Sequence, residues 1–344
     1  MRLSVLDQST VVTGRSPDAS IRESLLLAKH AEALGYFRYW VAEHHNSASI
    51  AGSAPEVLIA AIAATTSRIR VGSAGVMLPH YSSLKVAEQF RVLEAIAPGR
   101  IDLGLGRAPG SDGLTAYALN PNAGTAAEQF PAQVRDLLAW LADEKLMEKH
   151  PFRDIRAMPA GPTVPEVWVL GSSDYGAQVA AYFGLPYCFA HFISEGHGCA
   201  DALELYRQTY RPSVRHPEPL SSVCVWALAA DTDAEAERLF SSRALARLWR
   251  DRGEFAPLPS PAEAAAFEYS DADLARLQRL RARSLFGTPD VVGARLRAMA
   301  EEFRVDEMAV LTTVHDPVAR RRSYTLLAAE FGLPAAEGVA LAAE

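Results

Sequence analysis

Short apolar runs alternate with longer stretches in which apolar residues recur at helical spacing, and the alternation continues along nearly the whole chain. It is clearest between residues 68 and 110. Residues 69–77 form a short apolar run thinned by small residues, 84–96 have the helical spacing, and 101–105 form a second short run. Pro98 and Gly99 stop the helix between them, the first unable to continue it and the second free to take a positive φ. A strand that returns through a helix pairs in parallel with the strand before it, so the C-terminal ends of both lie on one side. This stretch therefore predicts a βαβ unit.

The same pattern predicts further strands at 3–7, 38–42, 164–170, 187–193, 222–230 and 307–313. Helices are predicted at 21–34, 55–66, 126–146, 177–183, 199–210 and 233–250, and another begins at Thr288-Pro289, with Thr as cap and Pro in the first turn. The strands and helices alternate throughout. The expected fold class is α/β, a single (β/α)8 TIM barrel over residues 1–334 with insertion loops at its C-terminal face. Residues 110–125 are rich in turn formers and are expected to be loop. Residues 251–271, proline-rich at 257–261, are expected to be a mobile loop over the barrel mouth, and 335–344 a frayed tail. The helix at 55–66 is apolar or alanine over most of its circumference, which predicts a subunit contact and hence a homodimer, or else a covering loop.

Composition narrows the function classes. Of the 344 residues 49% are hydrophobic and 22% charged, and no apolar run approaches the roughly 18 residues that read as a membrane span. The run at 3–7 meets Asp7 at once, too short for a signal peptide, so a cytoplasmic protein is expected. A formal net charge of −7 without a basic run argues against nucleic acid as the main partner. Cys188, Cys199 and Cys224 lack CxxC spacing, which favours free thiols over disulfides or zinc.

The unusual residues gather at the predicted C-terminal strand ends. Ser73-Ala74-Gly75 is small enough for a flat ring to lie against the backbone, and Gly104-Leu105-Gly106 leads into the cation of Arg107. Gly171-Ser172-Ser173-Asp174-Tyr175-Gly176 joins a strand to a helix, placing N–H groups and two hydroxyls at the positive helix end. That is an anion site, or a plain helix cap by Ser173 or Asp174. Arg107, on the same face, would complete the charge balance for a phosphate. The glycines at 104 and 106 do not make a dinucleotide fingerprint, because Pro109 and Gly110 continue as loop where such a motif starts a helix. In Glu43-His44-His45, adjacent strand residues point to opposite faces and no HExxH spacing accompanies them, so no metal is expected. One histidine should face the mouth, able to move a proton near neutral pH, with the other structural. His191, near the end of the sixth strand, is expected at the same mouth, as a participant or as lining.

Trp40-Val41-Ala42-Glu43-His44-His45, Val71-Gly72-Ser73-Ala74-Gly75-Val76-Met77-Leu78-Pro79, Pro98-Gly99-Arg100-Ile101-Asp102-Leu103-Gly104-Leu105-Gly106-Arg107 and Phe183-Gly184-Leu185-Pro186 resemble, in this order, the bacterial luciferase-like flavin monooxygenases. The resemblance spans nearly the whole chain. It implies a barrel that uses reduced FMN supplied by a separate NAD(P)H:flavin reductase, together with dioxygen, to oxygenate a small organic substrate. It also implies His44 as general acid or base, Arg107 and Ser173 on the phosphate, and a non-proline cis peptide at Ala74–Gly75 beneath the ring. Ser172, Tyr175, Gly176, Gly106 and His191 complete the expected cofactor site. Light-emitting members carry a cysteine where this chain has Gly106 and a tryptophan where it has His191, which leaves room for another substrate. The likeness is greatest to smaller members beginning LSVLDQS, some of which tailor secondary metabolites of polyketide type. The competing readings are a deazaflavin-dependent hydride-transfer enzyme, a metal-dependent hydrolase on the same barrel, and a flavin-binding partner without turnover.

Overall fold

The computed structural model describes residues 1–335, so most of the predicted tail, residues 336–344, lies outside the described residues. Nine strands form one sheet: β1 (Arg2–Asp7), β2 (Arg38–Val41), β3 (Arg70–Met77), β4 (Ile101–Gly106), β5 (Glu166–Gly171), β6 (Tyr187–Ala190), β7 (Ser221–Ala229), β8 (Leu285–Gly287) and β9 (Glu307–Leu311). The order β1-β2-β3-β4-β5-β6-β7-β9 closes on itself, since β6 pairs with β7 and β9 with both β7 and β1, every pair parallel. This is the expected eight-stranded parallel barrel. The ninth strand, β8, was not expected; it pairs with β7 outside the closed ring. No described helix is long and apolar enough to cross a membrane.

Alternate residues of each strand point inward and outward. Val5, Tyr39, Val71, Leu103, Val169, Phe189 and Val310 face the helices and form the larger apolar cluster. Leu6, Trp40, Trp168, Cys188, Cys224 and Ala309 fill the interior. Between β3 and β4 the register shifts from Ser73 to Val76, and the peptide Ala74–Gly75 within this bulge is cis. The strands approach so closely there that a Cβ on Gly104 would lie 2.1 Å from the Ser73 carbonyl oxygen. Only glycine fits.

The insertions contain more structure than the pattern suggested. Residues 110–125 are not all loop, because Asp112 caps a helix at Gly113–Leu119 by accepting from the Leu114 and Thr115 N–H groups, and a second short helix follows at Ala123–Glu128. The expected helix at 126–146 is Phe130–Ala142. Residues 251–271 include a helix at Pro261–Ala266 with a capping box between Ser260 and Glu263. Leu258, in that segment, exchanges backbone hydrogen bonds with Val11 and Thr13, tying the segment to the chain after β1.

The N-terminal end of the barrel is closed by charge. Arg38 donates to Glu307 at 2.9 Å, Asp102 at 2.9 Å and Glu166 at 2.6 Å, so three strands contribute a carboxylate to one guanidinium. Arg70 donates a further bond to Asp102, while Trp40 and Trp168 donate their ring N–H groups to Asp102 and Glu166. Burial opposes the charge on Arg38, but Asp102, Glu307 and Glu166 outweigh it and raise its pKa above the ordinary value. Breaking such a network strands the remaining charges. Replacing Arg38 with Ala should therefore lower the unfolding free energy by about 3–5 kcal/mol, read as a fall in the urea midpoint. A loss below about 1 kcal/mol would mean that water already reaches these carboxylates.

Candidate active site

All barrel strands run parallel, so their C-terminal ends share one mouth, and the candidate residues are sorted by where each strand releases its chain. β4 ends at Gly106, placing Arg107 at the surface beside the end of β5. Its guanidinium stacks on the Tyr175 ring at 3.9 Å and, among the described residues, makes no ion pair. Tyr175 is in the first turn of the helix Asp174–Phe183, whose N-cap residue is Ser173. The Ser173 hydroxyl makes no capping bond, contrary to the plain-cap reading, and Ser173 and its neighbour Asp174 are exposed. Gly176 packs on Tyr187, whose hydroxyl donates to the Ser173 carbonyl. Arg107, Ser172, Ser173, Tyr175 and Gly176 are thus brought together, with a cation lacking a carboxylate partner, an uncommitted hydroxyl and a helix N-terminus. These features fit a bound phosphate or similar anion.

Ala74, Gly75 and Gly106 lie on the neighbouring ends of β3 and β4, where the bulge leaves the backbone bare. His191 lines a small pocket with Phe192, Trp226 and Arg243, away from Arg107. The chain turns after Ala190 into a four-residue helix, and the His191 ring packs on Phe303 at 6.2 Å and against Gly196. Phe192, one residue on, occupies the inward-facing position and packs with the barrel interior. The turn into helix ends β6 at Ala190, three residues earlier than expected.

The two histidines after β2 separate as expected of adjacent residues. His45 shares its Nε2 with Glu43 at 2.8 Å, and Glu43 also accepts from the Tyr81 hydroxyl and the Met77 N–H, so His45 belongs to a structural cluster. His44 is held through its N–H to the Gly52 carbonyl, while its Nδ1 is buried with no hydrogen-bond partner in the structure. Burial and the Arg250 guanidinium, helped by His45 and opposed by Glu43, push the imidazole down to about 4. It is therefore neutral at pH 7, with a ring nitrogen free to accept or hold a proton. Among the described residues, no three His, Cys, Asp or Glu side chains are grouped to hold a metal ion.

A cavity partly open to solvent lies on the opposite side of the mouth from Arg107, between the ends of β1, β7 and β9 and the helix Asp233–Asp251. Sequence reasoning missed it, because its walls come from the helix and from the segment after it.

The family model described as luciferase-like monooxygenase matches residues 1–307. A protein of Escherichia coli (strain K12) named luciferase-like monooxygenase is 41% identical over 94% of this chain and 95% of its own length. The N-acetyl-S-alkylcysteine monooxygenase of Bacillus subtilis (strain 168) is 34% identical over 95% of this chain and 97% of its own. The crystal structure of apo-MsnO8 superposes with a TM-score of 0.89 at 38% identity, covering 97% of this chain and 99% of that one.

The low His44 value has a definite sign. Its folded pKa lies below the ordinary 6.5, so the unfolded chain takes the proton first; the stability His44 contributes is whole above about 6.5 and is lost as pH falls toward about 4. A histidine-ring NMR titration should place the His44 midpoint near 4 and move it upward in Arg250→Gln. A midpoint near 6.5 that ignores the substitution would show that neither burial nor Arg250 acts on this ring.

Proposed function

The chain belongs to the luciferase-like monooxygenase family, and from that membership we propose that it is the oxygenating component of a two-component system, taking reduced FMN from a separate reductase and dioxygen to oxygenate an organic substrate. The observation that carries the reading is Arg107, a guanidinium without a carboxylate partner among the described residues, stacked on Tyr175 at an uncapped helix N-terminus, with the Ala74–Gly75 bulge on the neighbouring strand β3. When bound, reduced FMN would supply the electrons that activate dioxygen.

The remaining work falls to side chains of this protein. Arg107, the Ser172 and Ser173 hydroxyls and the first N–H groups of the helix Asp174–Phe183 bind the phosphate, with Tyr175 fixing the plane of the guanidinium. The backbone at Ala74, Gly75 and Gly106 supports a flat ring, since none of these residues carries a side chain larger than a methyl group. Phe192, Trp226 and Leu311 exclude water from the mouth. The neutral His44 holds or delivers a proton at Nδ1, the nitrogen without another partner.

The reading includes a homodimer. Val57 on the helix Pro55–Thr65 is 65% exposed, and Val92 and Ile96 on the packed helix Ser83–Ile96 are 47% and 50% exposed, an apolar strip on adjoining helices. Light scattering at micromolar concentration should give twice the chain mass; the mass of one chain would return the strip to solvent.

Two substitutions divide binding from chemistry. Arg107→Ala should weaken FMN roughly ten- to a hundredfold and riboflavin much less, because only FMN carries the phosphate. His44→Ala should leave FMN affinity within a few fold while slowing the proton-dependent step by about 10² to 10⁴. Equal losses for FMN and riboflavin in Arg107→Ala would place the arginine on the ring or in the fold. Tighter binding of a deazaflavin than of FMN would replace oxygenation with hydride transfer.

A further inference from the structure

Three arginines of the helix Asp233–Asp251 stand at spacings of one and two turns, Arg243, Arg247 and Arg250, and all three line the cavity at the mouth. Their charges are not equally satisfied. Arg247 lies 3.0 Å from Glu195 and 3.3 Å from Asp251, so its charge is answered on the outer side. Arg243 has no such partner. It stacks over Trp226 at 4.1 Å and donates to the Ser284 hydroxyl at 3.0 Å, and among the described residues it makes no ion pair. Burial, with Arg247 and Arg250 adding to it and Glu195 opposing, pushes its pKa down to about 9. Arg250, at the rim, likewise makes no ion pair among the described residues. The cavity lining contains one carboxylate, Glu254, which is exposed and bonds to none of the three.

A half-buried cation with no ion-pair partner is costly to keep, and an anionic ligand would supply the missing charge. A planar guanidinium suits an oxyanion bound by two parallel hydrogen bonds. The rest of the lining is of another kind. Phe192, Trp226, Leu311 and Leu258 make an apolar wall, and Thr313, which accepts from the Trp226 ring N–H, is a polar edge. The site is also distinct from the phosphate cradle: in the ring order, β9 and β1 lie across the barrel from β4 and β5.

We propose that this cavity is the substrate site and that Arg243 and Arg250 recognise a carboxylate at one end of an otherwise apolar substrate. The proposal rests on the oxygenase reading for calling the ligand a substrate, but binding itself does not need the flavin. Arg250 also links the subsite to His44, since its charge helps hold that imidazole neutral. An anion on Arg250 offsets part of that charge, so an acid bound there should make His44 easier to protonate.

The test uses the flavin-free protein and a matched pair of probes, 4-phenylbutyrate and 4-phenylbutyramide, followed by calorimetry and by the His44 ring titration. The acid should bind at least about tenfold more tightly than the amide, and it alone should move the His44 midpoint upward. Arg243→Met should bring acid and amide within about twofold, and Arg250→Gln, at the rim where folding is not at stake, should reduce the preference and abolish the His44 shift. Both variants should keep FMN affinity within a few fold. Equal affinity of the wild type for acid and amide, including failure of both to bind below millimolar concentration, overturns the proposal. So does a loss of FMN binding with riboflavin binding retained in Arg243→Met or Arg250→Gln, since these arginines would then be holding the flavin phosphate. Failure of the oxygenase reading looks different: FMN would not bind the wild type, while the acid would still be preferred to the amide.

Discussion

The barrel is built around one guanidinium. Arg38 enters the interior at the start of β2 and meets carboxylates delivered by β4, β5 and β9, so a single side chain ties the second strand to three others in the ring. The desolvation cost of so many charges is offset only because each finds partners with good geometry, including the two tryptophan N–H groups. Trp40 and Trp168 meet edge to face at 5.2 Å directly above the network. They separate it from the mouth, so that the polar interior at one end does not open into the cavity at the other.

This plug decides what the other end can be. With the N-terminal end closed by charge and the middle filled by indole rings, the free volume lies beyond the C-terminal strand ends. Small residues thin β3 and β4 there, and the close approach of Ser73 to Gly104 leaves peptide surface instead of side chains. A second buried pair holds the same end from outside: Asp7, at the close of β1, accepts from Arg320 at 2.7 Å and from Tyr39 at 2.7 Å. Burial works against the Asp7 carboxylate, but Arg320, Ser24 and Tyr39 hold its pKa below the usual value. The segment that follows β1 is therefore fixed where it begins, before it reaches the cavity through Gln8 and Thr10.

The barrel was legible because period and punctuation agree over most of the chain. Buried parallel strands are short and apolar, and Gly35 and Gly99, both at positive φ, fall just beyond helices as the sequence suggests. The grouping of Arg107 with the serines at 172 and 173 was legible for a related reason, since these residues directly follow strands whose direction was already known. The end of β6 was expected at residue 193, but the chain turns into helix at His191, whose ring packs on Phe303, a residue far along the chain. The segment at 251–271 failed similarly. Its place is set by backbone bonds from Leu258 to Val11 and Thr13, a contact between residues far apart in the chain.

The arginine cavity shows a further limit, because Arg243, Arg247 and Arg250 have the spacing of a solvated helix face, and nothing local separates that from a lining. The distinction lies in the partners. Arg38 and Arg243 are the same chemical group, the first buried and the second half-buried, yet the carboxylates around Arg38 raise its pKa whereas desolvation pushes that of Arg243 down. The first guanidinium is complete within the fold. The second has an aromatic face and one hydroxyl, which orient it without answering its charge. Two sites at opposite ends of one barrel thus separate structure from function by a single criterion: whether the protein itself supplies the opposite charge, or leaves that place to a ligand.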